Sequence, residues 1–187
     1  MIAAVLLILA KISTLLACLV LVMGGLILHL RRRVKQLWLE ANQDPLTGLP
    51  NRRGLEKYWA LAKGEQVLLF IDLDGFKAVN DRWGHMVGDA LLRQVANRLA
   101  SVVAPPGKLA RWGGDEFVAV VPAERADVQK ALLATAAVMA YDLSAAGGPR
   151  DVRVGISAGS CAGEVDLAAA VATANAGLMR SRSVRLQ

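Results

Sequence analysis

From Ile12 to Leu30 the chain carries no charged side chain, and Lys11 is the one charge before Arg31. A helix over this run rises about 28 Å, close to the thickness of a bilayer's hydrocarbon core. Lipid offers no partner for backbone N–H and C=O groups, so a single apolar run can cross only as a helix. Residues 1–30 therefore read as a transmembrane helix with its span at about 12–30. Lys11 snorkels to the outer interface. A cleaved signal peptide fits poorly. The basic cluster follows the apolar run instead of preceding it, and the run exceeds a signal h-region.

That cluster is "RRRVK", Arg31 to Lys35. Positive charge beside a span marks the cytoplasmic side, so the N-terminus is expected outside and the rest in the cytoplasm. Of 22 basic residues, five lie at Lys11, Arg31, Arg32, Arg33 and Lys35, leaving 17 against 16 acidic residues after Lys35. The high pI thus reports a membrane anchor and not a nucleic-acid surface. Cys18 lies in the span and Cys161 in the cytoplasmic part; both read as inert small hydrophobes.

Residues 31–43 read as a basic juxtamembrane stretch and linker, with a short helix over 34–43. "DPLTGLPNRR" (44–53) breaks the pattern with two prolines and a glycine. Residues 44–187 then alternate strands and helices. Gly54–Lys63 is expected as helix and "QVLLFIDLD" (66–74) as a buried strand. Gly88–Val103 places Leu91, Leu92, Val95, Leu99 and Val102 on one helical face. "KLARW" and "FVAVV" form a hairpin pair. Asp127–Leu143 is expected as helix, 151–159 as strand and Asp166–Ser181 as helix. The order β-α-β-β-α-β predicts an α+β, ferredoxin-like sheet, mostly antiparallel, with helices on one face.

Asp72 and Asp74 end the first strand and, at period two, share a face while Leu73 points the other way. Alone, such an end also reads as a solvated strand terminus. "GGDE" (113–116) alone also reads as a polar hairpin, glycines supplying positive φ. In combination they say more. The first strand is expected in the centre, beside the hairpin, so Asp72 and Asp115 converge at one edge. Carboxylates brought together repel unless a cation joins them. Oxygen ligands suit Mg²⁺, which keeps waters and adds substrate phosphates. Bare Gly113 and Gly114 let a backbone approach a triphosphate. Asn80 and Asp89 frame the loop "NDRWGHMVGD". A carboxylate can accept both donors of a guanine edge; equally, Asp89 can simply cap the following helix.

Four blocks in order, "DPLTGLPNRR" (44–53), "FIDLDGFKAVNDRWGHMVGDALL" (70–92), "RWGGDEF" (111–117) and "ISAG" (156–159), closely resemble the GGDEF family of diguanylate cyclases. The resemblance runs from Asp44 to about Arg182. It implies a palm-like, nucleotidyl-cyclase-like domain that condenses two GTP into cyclic di-GMP with release of pyrophosphate, working as a homodimer at a bacterial inner membrane. It implies that Asp72, the Leu73 carbonyl and Asp115 hold Mg²⁺, with Mn²⁺ as a substitute. Glu116 and Asp115 become the catalytic carboxylates that activate the ribose 3′-hydroxyl. Asn80, His85, Asp89, Phe76, Lys77, Gly113 and Gly114 become nucleotide-binding positions.

The chain also departs from the family pattern. The positions of the RxxD product-inhibition motif read Ala104, Pro105, Pro106 and Gly107, so that brake is expected to be absent. In the last helix Asn175, Met179 and Arg182 replace Asp, Tyr and Lys; Arg182 can still clamp a terminal phosphate. Gly177 weakens that helix by about 1 kcal/mol relative to alanine, and 160–166 is shortened. Two alternatives follow: a catalytically weak GGDEF module that binds GTP and acts through protein interaction, and a structural partner whose span oligomerises through Gly24 and Gly25.

Overall fold

The computed structural model describes residues 2–62, 64–103, 105–137, 140–163 and 166–185. It divides into two compact units, Met1–Ala41 and Asn42–Gln187.

The first unit is a single helix, α1, Ile2–Asn42. The span expected at 12–30 and the short helix expected at 34–43 run together as one continuous helix. Nine of the eleven residues at 31–41 are Arg, Lys, Gln, Leu, Glu or Ala, all strong helix formers, and no Gly or Pro interrupts them, so nothing ends the helix there. Gln36 bridges two turns: it accepts from Arg33 at 3.3 Å and donates to Glu40 at 2.9 Å. Within α1, Leu15–Asn42 is long and apolar enough to cross a membrane.

The second unit opens with a wide turn over 44–50, in which Gly48 adopts φ +71°. Asn51 caps the next helix, α2 (Arg52–Leu61), its side chain accepting from the Gly54 N–H at 3.0 Å. Gly54 has to be glycine: a Cβ there would sit 2.3 Å from the Asn42 carbonyl oxygen. Then come β1 (Gln66–Asp74), α3 (Phe76–Trp83), α4 (His85–Val102), β2 (Lys108–Gly113), β3 (Glu116–Pro122), α5 (Ala126–Ala137), β4 (Gly155–Ala162) and α6 (Leu167–Arg185).

The four strands form one antiparallel sheet in the order β2-β3-β1-β4. The first strand is central, beside the hairpin, as the sequence predicts. Helices cover both faces, which corrects the one-face expectation. β1 explains why: Val67 to Ile71 are all buried, so each parity of the strand needs its own cover. Val67, Leu69, Ile71 and Leu73 join Phe117, Ala119 and Val121 under α3, α4 and α5. Leu68 and Phe70 join Val118 and Val120 under α2 and α6. Each fully buried Leu or Phe contributes about 1.5–3 kcal/mol of burial free energy, so the two layers outweigh any single polar contact in the fold.

Three boundaries differ from expectation. Asn80 lies on α3, and α4 starts at His85, leaving Gly84 alone between the helices. Asp89 is therefore inside α4 and caps nothing. The described part of α5 ends at Ala137; Tyr141, expected in that helix, pairs with Val152 in an isolated antiparallel bridge. Tyr141 is fully buried beneath the Arg98 guanidinium, 3.8 Å above its ring, and this core position draws it out of the helical path. Val152 is thereby taken from the strand expected at 151–159, and β4 begins at Gly155.

Candidate active site

At one edge of the sheet a single cross-strand row runs Gly113–Glu116–Asp72–Ser157, through β2, β3, β1 and β4. Asp72 and Glu116 stand directly opposite each other. Such pairs hold Cβ atoms about 5 Å apart. Their parity matches Leu68, Phe70, Val118 and Val120, so both face the side covered by α2 and α6. The turn between β2 and β3 has two central residues, Gly114 and Asp115. Gly114 sits at φ +52°, which calls for glycine. The Asp115 carbonyl accepts from the Leu73 N–H at 3.4 Å, tying the turn to β1.

Gly113 is different. Its φ is not in the left-handed region, and a Cβ there would meet nothing within 4 Å. The fold alone does not ask for glycine at 113. The open space beside it lies in the same row as the carboxylates.

Burial, and then the charges of Asp72 and Asp115, push the Glu116 carboxyl above its ordinary range. Three carboxylates thus share one edge. Among the described residues no three acidic, histidine or cysteine side chains form a ready-made metal cage. A donor set of this kind suits an ion that takes one or two carboxylates and fills its remaining positions with water and phosphate oxygens.

The second cluster is where α3 meets α4. Gly88 is buried there and has to be glycine, because a Cβ would come within 1.9 Å of Asn80 Oδ1. That Oδ1 is itself buried and has no hydrogen-bond partner. Buried acceptors are normally satisfied, so this one points to a donor supplied from outside the chain. Asp89 follows Gly88 on α4. His85 is exposed at the first position of α4, Phe76 packs half-buried on the core, and Lys77 is exposed. The Arg182 side chain lies outside the described residues.

Sequence reasoning missed the Arg111–Asp44 pair, quoting both residues without giving either a role. Arg111 Nη1 contacts both Asp44 oxygens at 3.0 and 3.1 Å, while Nε and Nη2 donate to the Gly114 carbonyl at 3.0 and 2.7 Å. One guanidinium so joins the 44–50 turn to the tip of the hairpin. Burial alone would raise the Asp44 carboxyl, but hydrogen bonds from Thr47 and Arg111 outweigh it and hold the group below its ordinary range. The signal was two opposite charges, one in each motif block, 67 positions apart; only the fold brings them together.

At the far end of the strands, Pro105–Gly107 stand where the inhibition motif would be; Ala104 lies outside the described residues. The Tyr58 hydroxyl donates to the Pro106 carbonyl and Arg125 donates to the Pro105 carbonyl at 3.2 Å. Of the last-helix departures, Asn175 has a buried Oδ1 without a partner and Met179 is half exposed.

The profile "Diguanylate cyclase, GGDEF domain" matches residues 41–183. The chain belongs to the diguanylate cyclase GGDEF-domain family. The diguanylate cyclase DgcM of Escherichia coli is 36% identical over 136 residues, covering 68% of this chain and 33% of that protein. DgcZ of the same species is 40% identical over 96 residues, covering 49% of this chain and 32% of that protein. The chain thus spans a third or less of these curated relatives. Among solved structures, the coiled coil and GGDEF domain of DgcB from Caulobacter crescentus, in complex with c-di-GMP, superposes with a TM-score of 0.72 at 28% identity, covering 86% of this chain and 90% of that one.

Proposed function

We propose that this chain is a membrane-anchored diguanylate cyclase that joins two GTP into cyclic di-GMP. The observation that carries the reading is the Asp72–Glu116 cross-strand pair with Asp115 beside it, three carboxylates of which Glu116 is raised by burial and then by the charges of the other two. Asp72, the Leu73 carbonyl and Asp115 hold a Mg²⁺ ion, with Mn²⁺ as substitute. When bound, the ion neutralises phosphate charge at the reacting triphosphate. Glu116, with Asp115, takes the proton of the 3′-hydroxyl; a carboxyl raised toward neutrality is the better base. The 3′-oxygen forms a bond to the α-phosphorus of the other GTP, the bond from that phosphorus to the β-phosphate bridging oxygen breaks, and pyrophosphate leaves. A second such transfer closes the ring.

Guanine is held where α3 meets α4. Its donors satisfy the orphaned Asn80 Oδ1 and the Asp89 carboxylate, with Phe76, Lys77 and His85 around them. Gly113 and Gly114 leave room for the phosphates, and Arg182 clamps the terminal one.

Each domain binds one GTP, so turnover needs a second copy of the chain. α1 supports this. Val20, Met23, Ile27, Leu30, Val34, Leu37 and Ala41 recur at alternating three- and four-residue steps along an unbroken, exposed helix. That spacing is the a/d seam of a coiled coil. Residues 1–30 anchor the chain in the inner membrane with the N-terminus outside, 31–43 extend the helix into the cytoplasm, and 44–187 carry the chemistry.

The test is the full chain in detergent micelles with GTP and Mg²⁺. Cyclic di-GMP and pyrophosphate are expected in a ratio of one to two. A dimeric preparation that binds GTP but yields neither would favour the second reading, a non-catalytic GTP-binding module. The buried, unpartnered Asn175 amide oxygen on α6 is the observation on that side.

A further inference from the structure

Asp74 shares a face with Asp72 and lies two residues, about 7 Å, beyond it. It is the second carboxylate on β1, and one of its oxygens is engaged on β4. Oδ1 accepts from the Ser157 hydroxyl at 2.7 Å. Gly155, the cross-strand partner of Asp74, leaves room for Oδ2: a Cβ on that glycine would sit 3.0 Å from it. Ser157 is 2% exposed and its backbone pairs with Asp72, so its hydroxyl reaches diagonally past Asp72 to Asp74. Glu116 sits on the opposite flank of Asp72, on β3.

We propose that Ser157 is a clamp that holds the Asp74 carboxylate on the β4 side, where Gly155 leaves room for it, and so limits the protein charge at the cation site to Asp72 and the Asp115–Glu116 pair. Ser157 is a positioning residue: it acts through Asp74 and touches neither cation nor substrate. The serine hydroxyl has one proton to donate, and it is committed to Asp74. Removing it weakens the hold on that carboxylate and lets it shift toward Asp72. A Cβ on Gly155 would push it the same way. Affinity for a divalent ion follows the number of carboxylates that reach it, so a released Asp74 tightens binding and crowds out the positions meant for phosphate oxygens.

The inference rests on the cation reading above, and Mn²⁺ binding to the full chain in detergent micelles, without nucleotide, separates the two. The free ion is followed by its paramagnetic resonance signal. Ser157→Ala and Gly155→Ala are each expected to lower the Mn²⁺ dissociation constant about three- to tenfold. Ser157→Thr should restore the parental value, and Asp74→Asn in the Ser157→Ala background should cancel the gain. Asp74→Asn alone should leave the affinity unchanged; a tenfold loss there would put Asp74 on the ion and overturn the clamp. Parental Mn²⁺ affinity in both Ser157→Ala and Gly155→Ala, with only a lowered melting temperature, would reduce Ser157 to a structural residue. Equal Mn²⁺ binding by the parent and Asp72→Asn would overturn the cation reading itself, and the clamp with it.

Discussion

Asp72 and Glu116 are partners in one antiparallel ladder, two carboxylates facing each other across adjacent central strands. Like charges placed directly opposite destabilise a sheet. A fold that keeps such a pair holds it for chemistry, at a cost in stability.

Glu116→Gln should therefore lower kcat by at least about 10²-fold and, without added metal, raise the melting temperature at pH 7 by about 1–4 °C. The sign follows from the raised carboxyl. Below the unfolded-state value near 4.3 the group is protonated in both states and costs nothing. As pH rises through the folded value the native state takes on the full charge penalty. The melting gain of Glu116→Gln should therefore shrink as the pH is lowered toward 4. Calorimetry across that range checks it, and an unchanged difference would contradict the assignment of the shift to charge.

The Arg111–Asp44 clamp predicts the opposite slope. Asp44 is held low, so its contribution is present above the unfolded value near 3.9 and is lost as pH falls through the folded value. Asp44→Asn should cost about 1–3 kcal/mol at pH 7, because it weakens a half-buried charged hydrogen-bond network. The gap to the parent should close in acid. Denaturant titrations at pH 7 and about pH 3 measure both ends.

Arg111→Lys should remove the forked grip on the Gly114 carbonyl, since an ammonium cannot span both partners. Loss of kcat greater than loss of GTP affinity is expected, because the hairpin tip carries Asp115 and Glu116. A pure affinity effect, read from KM against kcat, would place Arg111 outside the positioning of the tip.

Two glycines should respond in opposite ways. Gly159 lies where α6 rests on β4: a Cβ would fall 1.9 Å from the Ala174 carbonyl oxygen, so Gly159→Ala should destabilise strongly. Gly177, on the same helix, has only the far end of Arg180 within 4 Å, and Gly177→Ala should stabilise by about 0.5–1 kcal/mol. Thermal melts of the two variants decide it.

The seam on α1 predicts that Val34→Glu with Leu37→Glu weakens self-association. Cyclic di-GMP production should then fall and become steeply dependent on protein concentration, with GTP binding per chain unchanged. Sedimentation and nucleotide titration in micelles separate the two effects.

Much was legible in the chain before folding. A continuous apolar run placed β1 and helical periodicity placed α4, because a strand buried on both faces and an amphipathic helix each leave their mark in neighbouring residues. Local charge marked the 31–35 cluster, and turn chemistry marked Gly114. The candidates Asp72, Asp115, Glu116, Asn80 and Asp89 came from short motifs. What could not be read locally was who faces whom. Ser157 looked like one serine in a strand, and Asp74 like the twin of Asp72. Arg111 and Asp44 looked like unrelated charges. Gly88 and Gly159 drew no separate reading and are contact points.

The sequence by itself determined most of the elements, the apolar helix and the residue types able to carry the chemistry, since these depend on neighbours within a few positions. Only the tertiary structure decided the row Gly113–Glu116–Asp72–Ser157, the helical cover of both sheet faces and the clamp on Asp74. Each of these depends on strand order and register, and pairing between distant segments leaves no period in the chain.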